Sequence, residues 1–131
     1  MATAHTATAP RTLTFLQVSV ALQTLCIFFQ AASAGLVLST HHGEVLHSVG
    51  ARVIYAATML YVLAAVLAWR PGGGSPRPIL HSVGFLVLAS AQVVLGIAHV
   101  AWLHVPLGVL MFGLSVLALS QMLSARLSKR S

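Results

Sequence analysis

The sequence predicts an all-α, polytopic membrane protein built as an antiparallel four-helix transmembrane bundle. Three observations predict it. Of the 131 residues, 58% are hydrophobic and only 6% charged, with a mean hydropathy of +0.94, whereas soluble domains carry about 25% charged residues. Four apolar runs each reach the ~20 residues that a membrane-crossing helix needs. Six of the seven basic residues lie outside these runs, Arg52 being the exception.

The runs cover 13–38, 45–69, 79–98 and 105–123, within one transmembrane domain at 13–125. An N-tail at 1–12 precedes it and a basic C-tail at 126–131 follows. The links are short, which makes neighbouring helices antiparallel. Residues 39–44 join the first pair. Arg70-Pro-Gly-Gly-Gly-Ser-Pro-Arg-Pro78 breaks the chain between the second and third. Residues 99–104 join the last pair, and Pro106 suits the first turn of the helix that follows.

Arg11, Arg70, Arg77, Arg126, Lys129 and Arg130 all fall on one side of a four-span protein. By the positive-inside rule that side is cytoplasmic, so both termini are expected inside a bacterial inner (plasma) membrane. The links at 39–44 and 99–104 then face outward. The net charge of +6 reads as topology signals and anionic-lipid contacts. No aromatic–basic pattern points to nucleic acid. Ala32-Ser33-Ala34 resembles a signal cleavage site, but the run before it is long for a signal peptide, and an uncleaved span is expected.

Several residues carry bland readings. Cys26 is the lone cysteine and reads as a packing residue. Gln17, Gln23, Gln30, Gln92 and Gln121 are expected to bond between helices. Trp69 and Trp102 suit interfacial anchors. Arg52 lies about 140° from His47 around the helix at 100° per residue and is expected to snorkel. Leu46-His-Ser-Val-Gly50 recurs as Leu80-His-Ser-Val-Gly84. The copies head helices of opposite direction and His81 has no evident partner, so the recurrence reads as coincidence. No nucleophile–base arrangement, phosphate loop or carboxylate pair is present, and enzyme status stays open.

One ionisable cluster stands out. Glu44 is the only acidic residue, and it lies three positions before His47, on the same helix face. His104 opens the last run at the same expected depth. Ionisable groups at a membrane edge are functional-site candidates, and two imidazoles facing across a bundle suit haem iron. One turn beyond His47 lie Gly50 and Ala51; one turn beyond His104 lie Leu107 and Gly108. Such small residues would open a slot for a flat ring, or simply let helices pack closely. His47 and His104 are thus the expected metal ligands of haem b, with Glu44, Gly50 and Gly108 beside them. His99 is the alternative partner but reads as a loop residue, and His41 and His42 read as solvent or head-group residues. A zinc or copper site using the outer histidines and Glu44 ranks below haem, because zinc usually takes four ligands and no cysteine is at hand.

At Glu44-x-x-His47 and His104 the chain resembles one four-helix half of the haem A synthase family, over about residues 13–125. Gln92-Val-Val-Leu-Gly96 adds to the likeness. That family has two such halves, and many members carry a cysteine pair in a long first outer loop. This chain has one half and a short, cysteine-free loop. The resemblance implies a haem-ligating role for His47 and His104, and a cytochrome-like module for electron transfer or haem handling. The chain also resembles small four-span membrane proteins of high-GC bacteria. Two other functions fit the composition. One is a cofactor-free accessory or assembly subunit that packs partner helices through faces such as Ala31-x-x-x-Gly35. The other is a small oligomeric transporter. The expected partners are the lipid bilayer and membrane proteins or further copies of the chain, not nucleic acid.

Overall fold

The computed structural model describes residues 14–37, 39–40 and 43–128. The expectations for the N-tail at 1–12, for His41 and His42, and for residues 129–131 fall outside the described residues. Four helices follow one another: α1 (Phe15–Val37), α2 (Gly43–Trp69), α3 (Arg77–Ile97) and α4 (Ala101–Ser128). Each is long and apolar enough to cross a membrane, and the protein is a multi-pass membrane bundle. Helices satisfy their own backbone polar groups, as hydrocarbon surroundings demand.

Local chemistry sets the ends. At the start of α1 the Thr14 amide donates to Gln17 Oε1 at 3.0 Å and the Gln17 amide donates to Thr14 Oγ1 at 3.3 Å, a reciprocal cap that satisfies two orphan donors. Glu44 lies in the first turn of α2, where a carboxylate complements the helix dipole. Pro78 sits in the first turn of α3. The end of α3 is a Schellman turn: the His99 amide donates to Gly96 O and the Val100 amide to Leu95 O, with His99 at φ 54°, the place usually held by glycine.

That turn corrects two expectations. The link between α3 and α4 is only 98–100, so α4 starts four residues earlier than the apolar run. Pro106 therefore lies inside α4. It leaves only the Trp102 carbonyl without its helical donor, near the exposed first turn. At the other end α4 continues to Ser128, which brings Arg126 into the helix instead of into a tail.

The helices form a ring in which α1 packs on α2, α2 on α3, α3 on α4 and α4 on α1. α2 and α4 stand diagonally across it. The apolar core comprises Val20, Ile27, Ile54, Tyr61, Ala65, Phe85, Ala89 and Met111. Tyr61 and Phe85 rings lie 6.5 Å apart, and the small Ala57, Ala64 and Ala65 of α2 are buried, which allows close helix approach. Tyr55 and Ser90 hydroxyls meet at 3.1 Å between α2 and α3. Large side chains such as Phe29, Leu80, Ile97 and Val109 are exposed while Ser19, Gln23, Thr58, Ser82 and Ser115 are buried, an inside-out pattern suited to lipid surroundings.

Candidate functional site: a histidine pair at one end of the bundle

His47 and His104 come together. Their rings lie 6.1 Å apart between centres, inclined at 63°, across the diagonal from α2 to α4. Both are half-buried. His47 occupies the second turn of α2, and the early start of α4 puts His104 on that helix's first turn.

Each imidazole is held by its neighbour helix, and the partners fix its tautomer. Ser33 Oγ donates to the Gln30 carbonyl at 2.9 Å, so it can only accept from His47 Nδ1, 3.1 Å away. His47 Nδ1 thus carries the proton and Nε2 keeps its lone pair. The Gln30 amide lies 3.3 Å from that Nε2 and donates to the His47 carbonyl at 3.0 Å. On the other side His104 Nδ1 faces the Gln92 carbonyl at 3.1 Å. A carbonyl only accepts, so His104 also carries its proton on Nδ1 and its lone pair on Nε2. A histidine whose Nδ1–H is anchored to oxygen keeps its Nε2 lone pair as the donor, as metal-binding histidines do; at His104 no described residue bonds that nitrogen, whereas at His47 it faces the Gln30 amide.

The glycines beside the pair accommodate glutamines, not an open slot. A side chain at Gly50 would run into Gln30 Oε1, and one at Gly108 would come within 2.9 Å of Gln92 Nε2. Gly96 has a different use: a Cβ there would lie 3.4 Å from His104 Cε1, so its bareness lets the ring lie against α3. A cavity of about 330 Å³ opens beside the pair, lined by His47, Leu95, Gly96, His99, Ala101 and His104. His99, expected as a loop residue, is exposed and forms part of its wall.

Glu44 stands apart from this arrangement. It is exposed, and among the described residues no hydrogen bond joins it to His47. Its place in the first helical turn, one turn nearer the end of the bundle, directs it to solvent or head groups. Arg52 and His81 are also exposed. Among the described residues no group of three or more histidine, cysteine, aspartate or glutamate side chains is placed to hold a metal ion. The donor set is therefore two imidazoles. A metal bound to two imidazole nitrogens at about 2.0–2.1 Å each would set the ring centres roughly 6 Å apart, close to the spacing seen.

Sequence reasoning found the two histidines and missed what holds them. Gln30 does bond between helices, as the sequence leads one to expect; that its partner is His47, and that Ser33 is more than part of a cleavage-like triplet, does not show in either apolar run read alone. A signal was present. Ser33 lies four residues before the end of α1 and His47 four after the start of α2, so a tight hairpin brings them level. In comparisons with known proteins, the chain matches no family model, no curated protein and no solved structure.

Proposed function

We propose that the chain is an integral membrane b-type haem-binding module, with His47 and His104 as axial ligands, serving electron transfer or haem handling. The observation that carries this reading is the pair itself: two Nδ1-anchored imidazoles on diagonal helices, at a metal-bridging separation. Bis-histidine haem supplies reversible one-electron chemistry. In this role Ser33 and the Gln92 carbonyl keep both protons on Nδ1, and the Gln30 amide, 3.3 Å from His47 Nε2, would yield that position to the iron. Gln30 holds α2 beside α1 through the His47 carbonyl. Both ligands are neutral imidazoles, so the ligand set itself carries no charge. Leu95, Gly96 and Ala101 give the adjoining cavity apolar and small walls.

Protein purified from haem-replete cells should show a Soret band with a low-spin spectrum. His47→Ala and His104→Ala should each abolish or shift it, and His41→Ala should not. A colourless protein defeats the proposal. A second reading, a cofactor-free accessory subunit, then takes its place; it draws support from the exposed Ala31 and from Gly35, where an added methyl group would meet open space. The orientation proposed with the haem reading puts both termini in the cytoplasm of a bacterial inner membrane. Reporter fusions after Ser131 and within Gly72–Gly74 should report as cytoplasmic, and one at His41 as external.

A further inference from the structure

Midway along the bundle, two buried polar atoms have no partner among the described residues. Gln23 is 2% exposed and Thr58 is fully buried, yet Gln23 Oε1 and Thr58 Oγ1 form no hydrogen bond. Neighbouring hydroxyls behave differently. Ser19, Thr24, Ser82 and Ser115 each donate to a carbonyl of their own helix, the usual way a hydroxyl is satisfied in a transmembrane helix. Thr58 does not, although the same bond is open to it. In hydrocarbon surroundings an orphan polar group is strongly unfavourable.

The two atoms lie on packed helices at nearly one level. Gln30 touches His47, which fixes the register of α1 against α2. Gln23 lies two turns beyond Gln30 and Thr58 three turns beyond His47, a difference of about one turn, roughly 5 Å. Side chains lean toward the N-terminus of their own helix. In this antiparallel pair Gln23 and Thr58 therefore lean toward each other along the bundle axis. A single water bridges two polar atoms about 4.5–5.5 Å apart.

We propose that Gln23 and Thr58 form an internal water site, in which an ordered water bridges Gln23 Oε1 and Thr58 Oγ1 between α1 and α2. The Thr58 hydroxyl forgoes its own helix because the water takes its proton or donates to it, and Gln23 Oε1 accepts the water's other proton. The site is separate from the histidine pair and does not depend on what that pair binds.

The test is the unfolding equilibrium of the full chain in mixed detergent micelles, measured for Thr58→Val, Thr58→Ser, Gln23→Met and the Thr58→Val/Gln23→Met double variant. Valine keeps the shape of threonine and methionine the length of glutamine. Among the described residues the Thr58 hydroxyl has no protein partner, so its removal reports on the water. Thr58→Val and Gln23→Met should each raise the unfolding constant about tenfold, and Thr58→Ser should stay near the parent. The double variant should fall well short of the product of the singles, because both lose the same water. Thr58→Val equal to or more stable than the parent overturns the proposal. So does Thr58→Ser as damaging as Thr58→Val, which would point to the methyl group, or full multiplicativity in the double variant, which would mean no shared bridge.

Discussion

The two helical hairpins solve the same problem by different means. In the α1–α2 hairpin a histidine is held by side chains: Ser33 Oγ takes its Nδ1 proton and the Gln30 amide meets its Nε2. In the α3–α4 hairpin the histidine is held by the main chain, through the Gln92 carbonyl. Each hairpin also pairs a glutamine with a glycine one turn past the histidine, Gln30 with Gly50 and Gln92 with Gly108. The difference teaches where the site is open to change. A side-chain anchor can be deleted by one substitution; a backbone anchor survives any substitution that keeps the helix. The α1–α2 hairpin is the one a single mutation can disable.

The largest effect expected from this asymmetry is at Ser33. Ser33→Ala removes the Nδ1 anchor of His47 and, under the proposed haem reading, should weaken haem retention about 10–100-fold, the usual range for losing the partner of a ligating histidine. Gln92→Leu leaves the anchoring carbonyl in place and should stay within about threefold of the parent. Haem transfer to apomyoglobin, timed by absorbance, measures both; equal losses would erase the distinction between the hairpins.

The glycines sharpen it further. Gly50→Ala drives a methyl group into Gln30 Oε1 and must displace that side chain from His47, so it should lower stability by about 1–3 kcal/mol and perturb the Soret spectrum. Gly108→Ala meets only the flexible amide end of Gln92, at 2.9 Å, and should fall at or below about 1 kcal/mol with the spectrum unchanged. Thermal unfolding in detergent with absorbance detection follows both changes. A Gly108→Ala variant as perturbed as Gly50→Ala would contradict the comparison.

The smallest effect belongs to the turn of the second hairpin. His99 holds a left-handed conformation at φ 54°, which suits glycine better. His99→Gly should therefore stabilise the protein, by about 1 kcal/mol, seen as a raised Tm. A lowered Tm would mean that the imidazole supports the cavity wall by contacts worth more than the strain.

The fold was open to reading because a membrane leaves few alternatives. Four apolar runs separated by breakers admit one kind of answer, and the boundaries of α1, α2 and α3 fall within about two residues of the runs. α4 was harder to bound. Its start is set by a Schellman turn with histidine in the glycine position, which carries no sequence signature, and its end by a helix that persists through polar residues past the apolar stretch. At the site, the apolar setting made His47 and His104 conspicuous. Their holders were hidden for a physical reason. Ser33 and Gln30 reach His47 across a hairpin, so the relation depends on how two helices fold back, not on any periodicity within one. Three-residue spacing puts Glu44 on the His47 face, but spacing alone does not tell that its first-turn carboxylate is exposed.

The unequal lengths of the helices bear on the lipid around them. α3 has 21 residues and α4 has 28, about 31 Å and 42 Å of helix, against a hydrocarbon thickness of about 30 Å. At the histidine end the two are flush, tied by the short 98–100 link and by His104 lying against Gly96. The surplus of α4 therefore emerges at the opposite end, carrying Arg126 beyond the start of α3. The surplus is polar, carrying Ser124, Arg126 and Ser128 past an apolar stretch that ends near Leu123. The last turns of α4 therefore stand in the head-group layer as a polar ridge beside the lower start of α3, and the rim that lipid meets there is uneven in polarity instead of in thickness.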